Sequence, residues 1–509
     1  MQKRWVQLLL RQRVFVVLML LLQVGLMVMM VYSSSQTYRW VYNLLNIMSL
    51  VVVLHVISTG TRASYKLLWS IVILLFPLFG GLMYLLIRLQ GMTITLRNRL
   101  ETAEKSLNLL LARNPEVQER FLKEYPEYAG QCRYLTKYCK FSLYEGETVT
   151  YLSPGEEKFK ALLTVLEQAE KFIFLEYFIV QEGKMWNTIL DVLVRKAKEG
   201  VDVRLIYDDM GCFMLLPHDY EKYLQKKGIR CVVFNKFRPV LSTLQNNRDH
   251  RKIAVIDGKW AFTGGINLAD EYINEVRRFG HWKDASVMIT GRAVESYTFM
   301  FLSMWQALTG EKAEAEKHFY VPKKAAWADG YVIPYCDSPI DSEYVGEQVY
   351  LNVINGAKKS LYIQTPYLIV DDSLISALIL AAKKGVDVKI LTPGIPDKWY
   401  VHMTTRSYYR ELLSGGVQIF EYAPGFIHSK IMVADDTVAT IGTVNLDCRS
   451  LYLHFECGMW LCGNSEIPVM KEDFLKTLKK CKQIKPSDCR VGFFRRLLQN
   501  LLRLFAPLM

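Results

Sequence analysis

The sequence has no Cys-x-x-Cys pair and no Cys/His spacing suited to zinc, although it carries ten cysteines. This excludes a zinc ribbon and a dithiol redox motif. Cysteines scattered from Cys132 to Cys489 without a pairing pattern read as free or buried thiols in a reducing compartment. Histidine is also scarce, with eight residues in 509. Any regular placement of histidine in such a chain is therefore informative.

Two placements are regular. His250-Arg-Lys252 is followed by four apolar residues and Asp257, then by Gly264-Gly265-Ile-Asn267. His428-Ser-Lys430 is followed by four apolar residues and Asp435, then by Gly442-Thr443-Val-Asn445. The spacing is the same in both. Each apolar run reads as a short buried strand, on which alternate residues share a face. His250 and Lys252 are thus expected to point one way, as are His428 and Lys430. Two His-Lys pairs form a cationic cage for a phosphate, and two imidazoles can divide covalent attack from proton transfer. The Gly-Gly and Gly-Thr pairs are expected to let backbone and Asn come close to a ligand. The cage has no carboxylate cluster for a divalent ion, so neither metal nor cofactor is expected.

Both motifs resemble the His-x-Lys-x4-Asp signature of the phospholipase D superfamily, and the resemblance covers about residues 150–465. Internal repetition supports it. Ala197-Lys-Glu-Gly200-Val-Asp-Val-Arg204 matches Ala382-Lys-Lys-Gly385-Val-Asp-Val-Lys389. Gly228 to Phe234 matches Gly416 to Phe420. The first copy alternates helix 156–170, strand 172–180, helix 184–199, strand 201–207, helix 220–227 and strand 230–234, an α/β pattern. The expected fold is two pseudo-symmetric α/β halves sharing one active site, behind N-terminal transmembrane helices. The boundaries read as a membrane anchor over 1–88, a linker helix and connection over 89–150, a first half over 151–310, a connection over 311–330, a second half over 331–490 and an amphipathic helix over 491–509.

The anchor follows from composition. Hydrophobic residues make up 51% of the chain, and apolar runs occur at Val14–Tyr32, Val41–Ile57 and Leu67–Ile87. A signal peptide is the rival reading of the first run. The two runs that follow at once argue against it. Basic residues precede the first run (Lys3, Arg4, Arg11, Arg13) and follow the last (Arg88, Arg97, Arg99). Both groups favour the cytoplasmic side. Three full spans cannot satisfy both, so the first or second run is expected to lie in the interface. A charged linker helix is expected from Leu96 to about Glu124. The basic loop from Lys236 to Arg248 reads either as solvated surface or as a lure for anionic head groups. Net charge is +13. With an apolar N-terminus this points to an anionic membrane surface and not to nucleic acid. At the other end, Phe493, Phe494, Leu497, Leu498, Leu501 and Leu502 alternate with Arg495, Arg496 and Arg503, as in an interfacial helix.

Several flanking stretches resemble bacterial cardiolipin synthases. They are Pro77-Leu-Phe-Gly80-Gly-Leu-Met-Tyr84-Leu-Leu, Asp270-Glu271-Tyr272, Trp282-Lys-Asp284, Arg449-Ser450 and the terminal Leu-Phe-Ala-Pro-Leu. Two departures stand out: a third apolar run, and His454 where that family usually carries Asn before the acid Glu456. The resemblance implies phosphatidyl transfer between two phosphatidylglycerol molecules. His250 is then the nucleophile and His428 the proton carrier. Lys252, Lys430, Asn267 and Asn445 hold the phosphoryl oxygens. Asp284 and Glu456 orient the imidazoles. Asp257 and Asp435 complete the signature and brace the strand–loop junction. A hydrolase of the same superfamily and a membrane scaffold with a decayed site are the alternatives. No oligomeric state is read from the chain.

Overall fold

The structure is a computed structural model and describes Gly25 and residues 36–60, 62–88, 91–111, 113–236, 247–312, 314, 317–319, 329–341 and 343–508. It divides into two compact units. One comprises residues 1–94, 237–246 and 504–508, the other residues 95–236, 247–503 and 509.

In the first unit the described helices are α1 (Gln36–Ser58), α2 (Ala63–Leu75) and α3 (Pro77–Arg88). They share a small core of Val53, Val56, Ile73 and Tyr84, and His55 packs edge-on against Tyr84. Much of the apolar surface faces outward, including Trp40, Leu44, Ile47, Leu50, Val51 and Leu54 of α1. Among the described residues no helix is long and apolar enough to cross a membrane. The run 67–87, expected as one segment, is two helices. Pro77 has no N–H to continue a helix and disfavours the α conformation at Phe76; Phe76 sits at φ −129°, ψ 74°. The run Val14–Tyr32 lies outside the described residues except for Gly25, and so does most of the loop 236–248. Of that loop's basic residues, Arg248 is buried beside Asp208 and Lys236 pairs with Glu221.

The expected linker helix is also two: α4 (Gly91–Asn108) and α5 (Pro115–Glu124). Pro115 again sets the boundary, since the residue before a proline avoids the α region. Leu100, Leu107 and Leu111 belong to the core of the second unit, so this segment is more than a solvated face.

The second unit is built from two sheets of the same design. The first half has β1 (Thr148–Leu152), β2 (Phe172–Tyr177), β3 (Asp202–Asp208), β4 (Arg230–Phe234), β5 (Lys252–Ile256), β6 (Trp260–Gly264) and β7 (Ser286–Thr290). The second has β8 (Tyr331–Asp337), β9 (Ser360–Gln364), β10 (Asp387–Pro393), β11 (Gln418–Tyr422), β12 (Ile431–Ala434), β13 (Val438–Gly442) and β14 (His454–Cys462). The orders are β1-β7-β6-β5-β2-β3-β4 and β8-β14-β13-β12-β9-β10-β11, the second sheet gaining short strands at its edges. In both, the strand after the His-Lys motif (β5, β12) runs antiparallel to the second strand of its half (β2, β9), whose other neighbour is parallel. Ile253, Val255, Val287 and Ile289 of one sheet share a core with Ile431, Val433, Ile441, Met459 and Leu461 of the other. The buried helix α6 (Val294–Thr309) contributes Phe301 and Met304 to it.

The C-terminal helix α8 (Phe493–Leu504) meets α7 (Trp399–Ser414) by its polar side. Gln499 donates to the Met403 carbonyl. Arg503 bonds Glu411 and lies over the Tyr408 ring at 4.2 Å. Phe493, Phe494, Leu497, Leu498 and Leu501 are exposed, Phe494 at 83%. A helix that buried its apolar stripe against the domain would show the reverse.

Candidate active site

The strands that follow the motifs begin at Lys252 and Ile431, so His250 and His428 sit just before them and not within them. Short cross-half pairings hold these residues. Arg248–Asp249 runs parallel to His454–Phe455, and Gly425–Ile427 runs parallel to His281–Lys283. The backbone N–H of His250 donates to the Phe455 carbonyl at 2.9 Å, and that of His428 donates to the Lys283 carbonyl at 2.7 Å. Each histidine is thereby pinned by the opposite half.

The side chains follow the same rule. His250 Nδ1 lies 2.9 Å from both carboxylate oxygens of Glu456. His428 Nδ1 lies 2.7 Å from Asp284 Oδ2. In both rings Nε2 is left to act on a substrate. Each ring also packs on an aromatic two residues before the acid that holds it: His454 stands 5.4 Å from His250, and Trp282 stands 5.1 Å from His428. Phe178 lies 5.0 Å from His250 and Tyr272 lies 5.5 Å from His428. The Lys252 ammonium donates to the His250 carbonyl at 2.5 Å, and that of Lys430 donates to the His428 carbonyl.

Asp257 and Asp435 are braces. Both adopt the left-handed conformation, with φ 52° and 54°, which Asp tolerates better than most residues. Asp257 accepts the backbone N–H groups of Glu170, Lys171 and Phe172. Asp435 accepts those of Lys358, Lys359 and Ser360. These bonds anchor the far end of the motif strand, away from the imidazoles.

The glycines also let parts of the protein itself come close. A Cβ on Gly265 would lie 2.1 Å from Asp284 Oδ1, and one on Gly264 would lie 2.5 Å from the Ala285 carbonyl. A Cβ on Gly442 would meet the Cys457 carbonyl at 2.4 Å. The small residues make room for Asp284 and for the neighbouring strand. Thr443 fills the place of Gly265 in the second copy and bonds Glu456 through its hydroxyl. Asn267 accepts from the Ile179 N–H and donates to the Tyr272 hydroxyl at 2.7 Å. Asn445 has no hydrogen-bond partner for its Oδ1 among the described residues.

Burial dominates the electrostatics. It drives His250 well below its usual value, with Lys252 adding to the effect. It brings His428 down to about 4, Lys430 adding and Asp284 opposing. Burial also lowers Lys252 to about 8 and Lys430 to about 7, against the pull of Glu456 and Asp284 respectively. The acids differ. Burial pushes Glu456 well above the carboxylate range, and Lys252 does not offset it. Burial raises Asp284 too, but His428 and Lys430 outweigh it and hold Asp284 below its usual value. His250, His454 and Glu456 place donor atoms within 4.8 Å of one another, a spacing a transition ion accepts. Arg449, Lys252 and Arg248 surround His454 with positive charge, and that field opposes a dication. Both His454 ring nitrogens lack a hydrogen-bond partner among the described residues.

A duplicated α/β half, with two His-Lys pairs meeting and each imidazole held by an acid of the other copy, is the architecture of a two-histidine phosphoryl-transfer protein of the phospholipase D superfamily. The family model described as "Cardiolipin synthase, PLD-like domain" matches residues 162–305 and 350–478, and that described as "Phospholipase_D-nuclease N-terminal" matches residues 44–88. The chain belongs to the cardiolipin synthase family of phospholipase D-like proteins. Cardiolipin synthase 2 of Bacillus cereus is 36% identical over 451 residues, 88% of this chain and 87% of that protein. The cardiolipin synthase of Geobacillus kaustophilus is 34% identical over 465 residues, 91% of this chain and 92% of that one. The phosphatidylserine synthase structure from Haemophilus influenzae superposes with a TM-score of 0.56 at 17% identity, covering 72% of this chain and 94% of that chain, which shows a shared fold.

Proposed function

We propose that the chain makes cardiolipin and glycerol from two molecules of phosphatidylglycerol, through a phosphatidyl-histidine intermediate. The observation that carries this is the crossed pairing of His250 with Glu456 and His428 with Asp284. It engages both rings at Nδ1, which supports Nε2 of each as the atom that meets the phosphate.

The difference between the two acids supports different roles. Glu456 is raised and His250 is lowered, so this pair carries little charge, and a neutral imidazole is the nucleophile. Ionised Asp284 stabilises an imidazolium at His428, which suits a proton carrier. In the first step His250 Nε2 bonds phosphorus and the P–O bond to glycerol breaks; the departing oxygen takes a proton from Nε2 of His428, which is protonated in the lipid complex, where the bound phosphate adds to the pull of Asp284 against the burial that keeps the free ring neutral. In the second step His428 takes the proton of the acceptor hydroxyl. The new P–O bond forms and the N–P bond breaks. Lys252 and Lys430 lie beside the two rings, where charge on the phosphoryl oxygens is stabilised in a site almost closed to water.

The membrane is the proposed location, with the catalytic unit on the cytoplasmic side and the N-terminal unit as a multi-pass anchor. Support comes from the apolar surface of α1 and from the docking of α8. Five large apolar side chains of α8 face outward, each gaining about 1.5–3 kcal/mol on leaving water, with Arg495 and Arg496 available to anionic head groups.

Purified protein incubated in mixed micelles with phosphatidylglycerol alone tests the reading. Cardiolipin with an equal amount of glycerol is expected. Phosphatidic acid with glycerol would mark a hydrolase, and no turnover would mark a scaffold.

A further inference from the structure

The helices α2 and α3 are joined by a sharp turn at Phe76–Pro77. The Phe76 N–H still donates to the Val72 carbonyl at 2.9 Å and ends α2, while the Gly80 N–H donates to the Phe76 carbonyl at 2.6 Å and opens α3. The helices then fold back on each other. Gly80 lies against Ile73, where a Cβ would come within 2.8 Å of the Ile73 Cα and 2.7 Å of the Val72 carbonyl. Further along, the Tyr84 and Trp69 rings meet at 5.5 Å. The pairs 73/80 and 69/84 are centred on the same point, between residues 76 and 77. That is the register of an antiparallel helical hairpin. In one continuous helix Trp69 and Tyr84 would be about 22 Å apart along the axis.

The legs contain 13 and 12 residues, so they rise about 20 Å and about 18 Å. A hydrocarbon core is about 30 Å thick. Neither leg can cross it, and the pair returns the chain to the side from which it came. Yet from Ile71 to Ile87 no residue is charged. Leu74 and Leu75, at the turn, are 54% and 59% exposed. The charges stand at the open end: Arg62 precedes the first leg, Lys66 lies in its first turn and Arg88 ends the second. Helical legs also satisfy their own backbone groups, as a lipid environment demands.

We propose that residues 63–88 form a re-entrant hairpin, inserted tip-first into the acyl chains of one leaflet and leaving by the same face, with Arg62, Lys66 and Arg88 among its anionic head groups. This rests on the membrane reading above. It removes a conflict in the charge pattern. Lys3, Arg4, Arg11 and Arg13 before the first apolar run, and Arg88, Arg97 and Arg99 after the last, all favour the cytoplasm. An odd number of crossings would separate them. The hairpin adds no crossing of its own, so it does not place the two basic groups on opposite sides.

Single cysteines test this in the full chain, each scored as labelling by an impermeant maleimide above that of the parent protein. Gly60→Cys lies before the hairpin, at a position where a Cβ meets nothing within 4 Å. Leu75→Cys lies at the tip, and Thr93→Cys follows the second leg. The expected result is that positions 60 and 93 stay unlabelled in intact cells and both react once the cells are opened. Position 75 should react only after detergent. Labelling of 60 and 93 from opposite sides would show a crossing and overturn the hairpin while leaving the membrane reading intact. Labelling of 75 without detergent would show a tip in water and also overturn it. If the chain leaves the membrane pellet on an alkaline carbonate wash, the membrane reading fails and the hairpin fails with it.

Discussion

The two halves of the catalytic unit are copies in their scaffold and differ at their centres. Strand order, the braces at Asp257 and Asp435, and the reach of each half across to the other are the same. What differs is the acid behind each histidine and its surroundings. Asp284 lies next to Gly265, is held low by His428 and Lys430, and serves a histidine backed by Trp282. Glu456 lies next to Thr443, is raised by burial, and serves a histidine backed by His454. A symmetric scaffold thus sets two imidazoles against acids in unlike states, and the proposed division of labour rests on that difference.

The largest test of this contrast removes the rings. His250→Ala should leave no measurable transfer and none of the acid-labile phosphorus label that a histidine N–P bond gives. His428→Ala should lower the rate by about 10²–10⁴-fold, the usual worth of a positioned proton carrier, while radiolabelled lipid still labels the chain slowly. Label on His250→Ala instead would exchange the two roles.

The acids sharpen the comparison. Gln has nearly the shape and charge of a protonated Glu, so Glu456→Gln is expected to cost under about tenfold in kcat. Asp284→Asn removes an ionised partner from His428, and a hydrogen bond to a charged group is worth about 1.5–3 kcal/mol, or roughly 10–100-fold. Equal losses would show that the two acids work in the same state.

The braces probe what the halves share. Asp257→Ala and Asp435→Ala each take the acceptor away from three backbone N–H groups. Each should lower stability by about 3 kcal/mol, read as a fall in the urea midpoint in detergent. A large difference between them would mean that one half carries more of the fold.

The smallest effect is expected from pH. A lysine is charged below its pKa, and burial brings Lys252 to about 8 and Lys430 to about 7. Raising the pH through 7–8 should therefore strip positive charge from the free site and raise KM for the anionic lipid by up to about tenfold per unit. His428, lowered to about 4, stays neutral over that range and adds no limb there. Lys430→Arg keeps its charge at any accessible pH. The limb should then move up toward that of Lys252, and an unchanged profile would dissociate Lys430 from it.

Much of the catalytic unit was legible because the information is local. Four apolar residues after each His-x-Lys make a buried strand wherever they lie, and β4 has the bounds that its residues predict. The limits of the long apolar run 67–87 were less legible. In the sequence the run is one apolar segment, and only the contacts of Ile73 with Gly80 and of Trp69 with Tyr84 show the chain folding back. The glycines after each motif were only partly legible for a similar reason. A glycine marks a close approach without naming what approaches, and here it is Asp284 and the adjacent strand.

The residue pattern by itself determined that this protein has two equivalent His-Lys sites in a duplicated α/β frame, that a phosphate suits them, and that both ends of the chain are apolar and basic. Periodicity and spacing act over a few residues, and a repeat is visible without coordinates. Only the tertiary structure decided which acid serves which histidine. His250 and Glu456 are 206 positions apart and belong to different halves; nothing in either segment specifies the pairing until strands Arg248–Asp249 and His454–Phe455 lie side by side. The same holds for α8, whose stripe of Phe and Leu is plain in the chain. That its polar side is the one docked depends on Met403, Tyr408 and Glu411 coming to meet it, and that is a property of the folded surface and not of the helix.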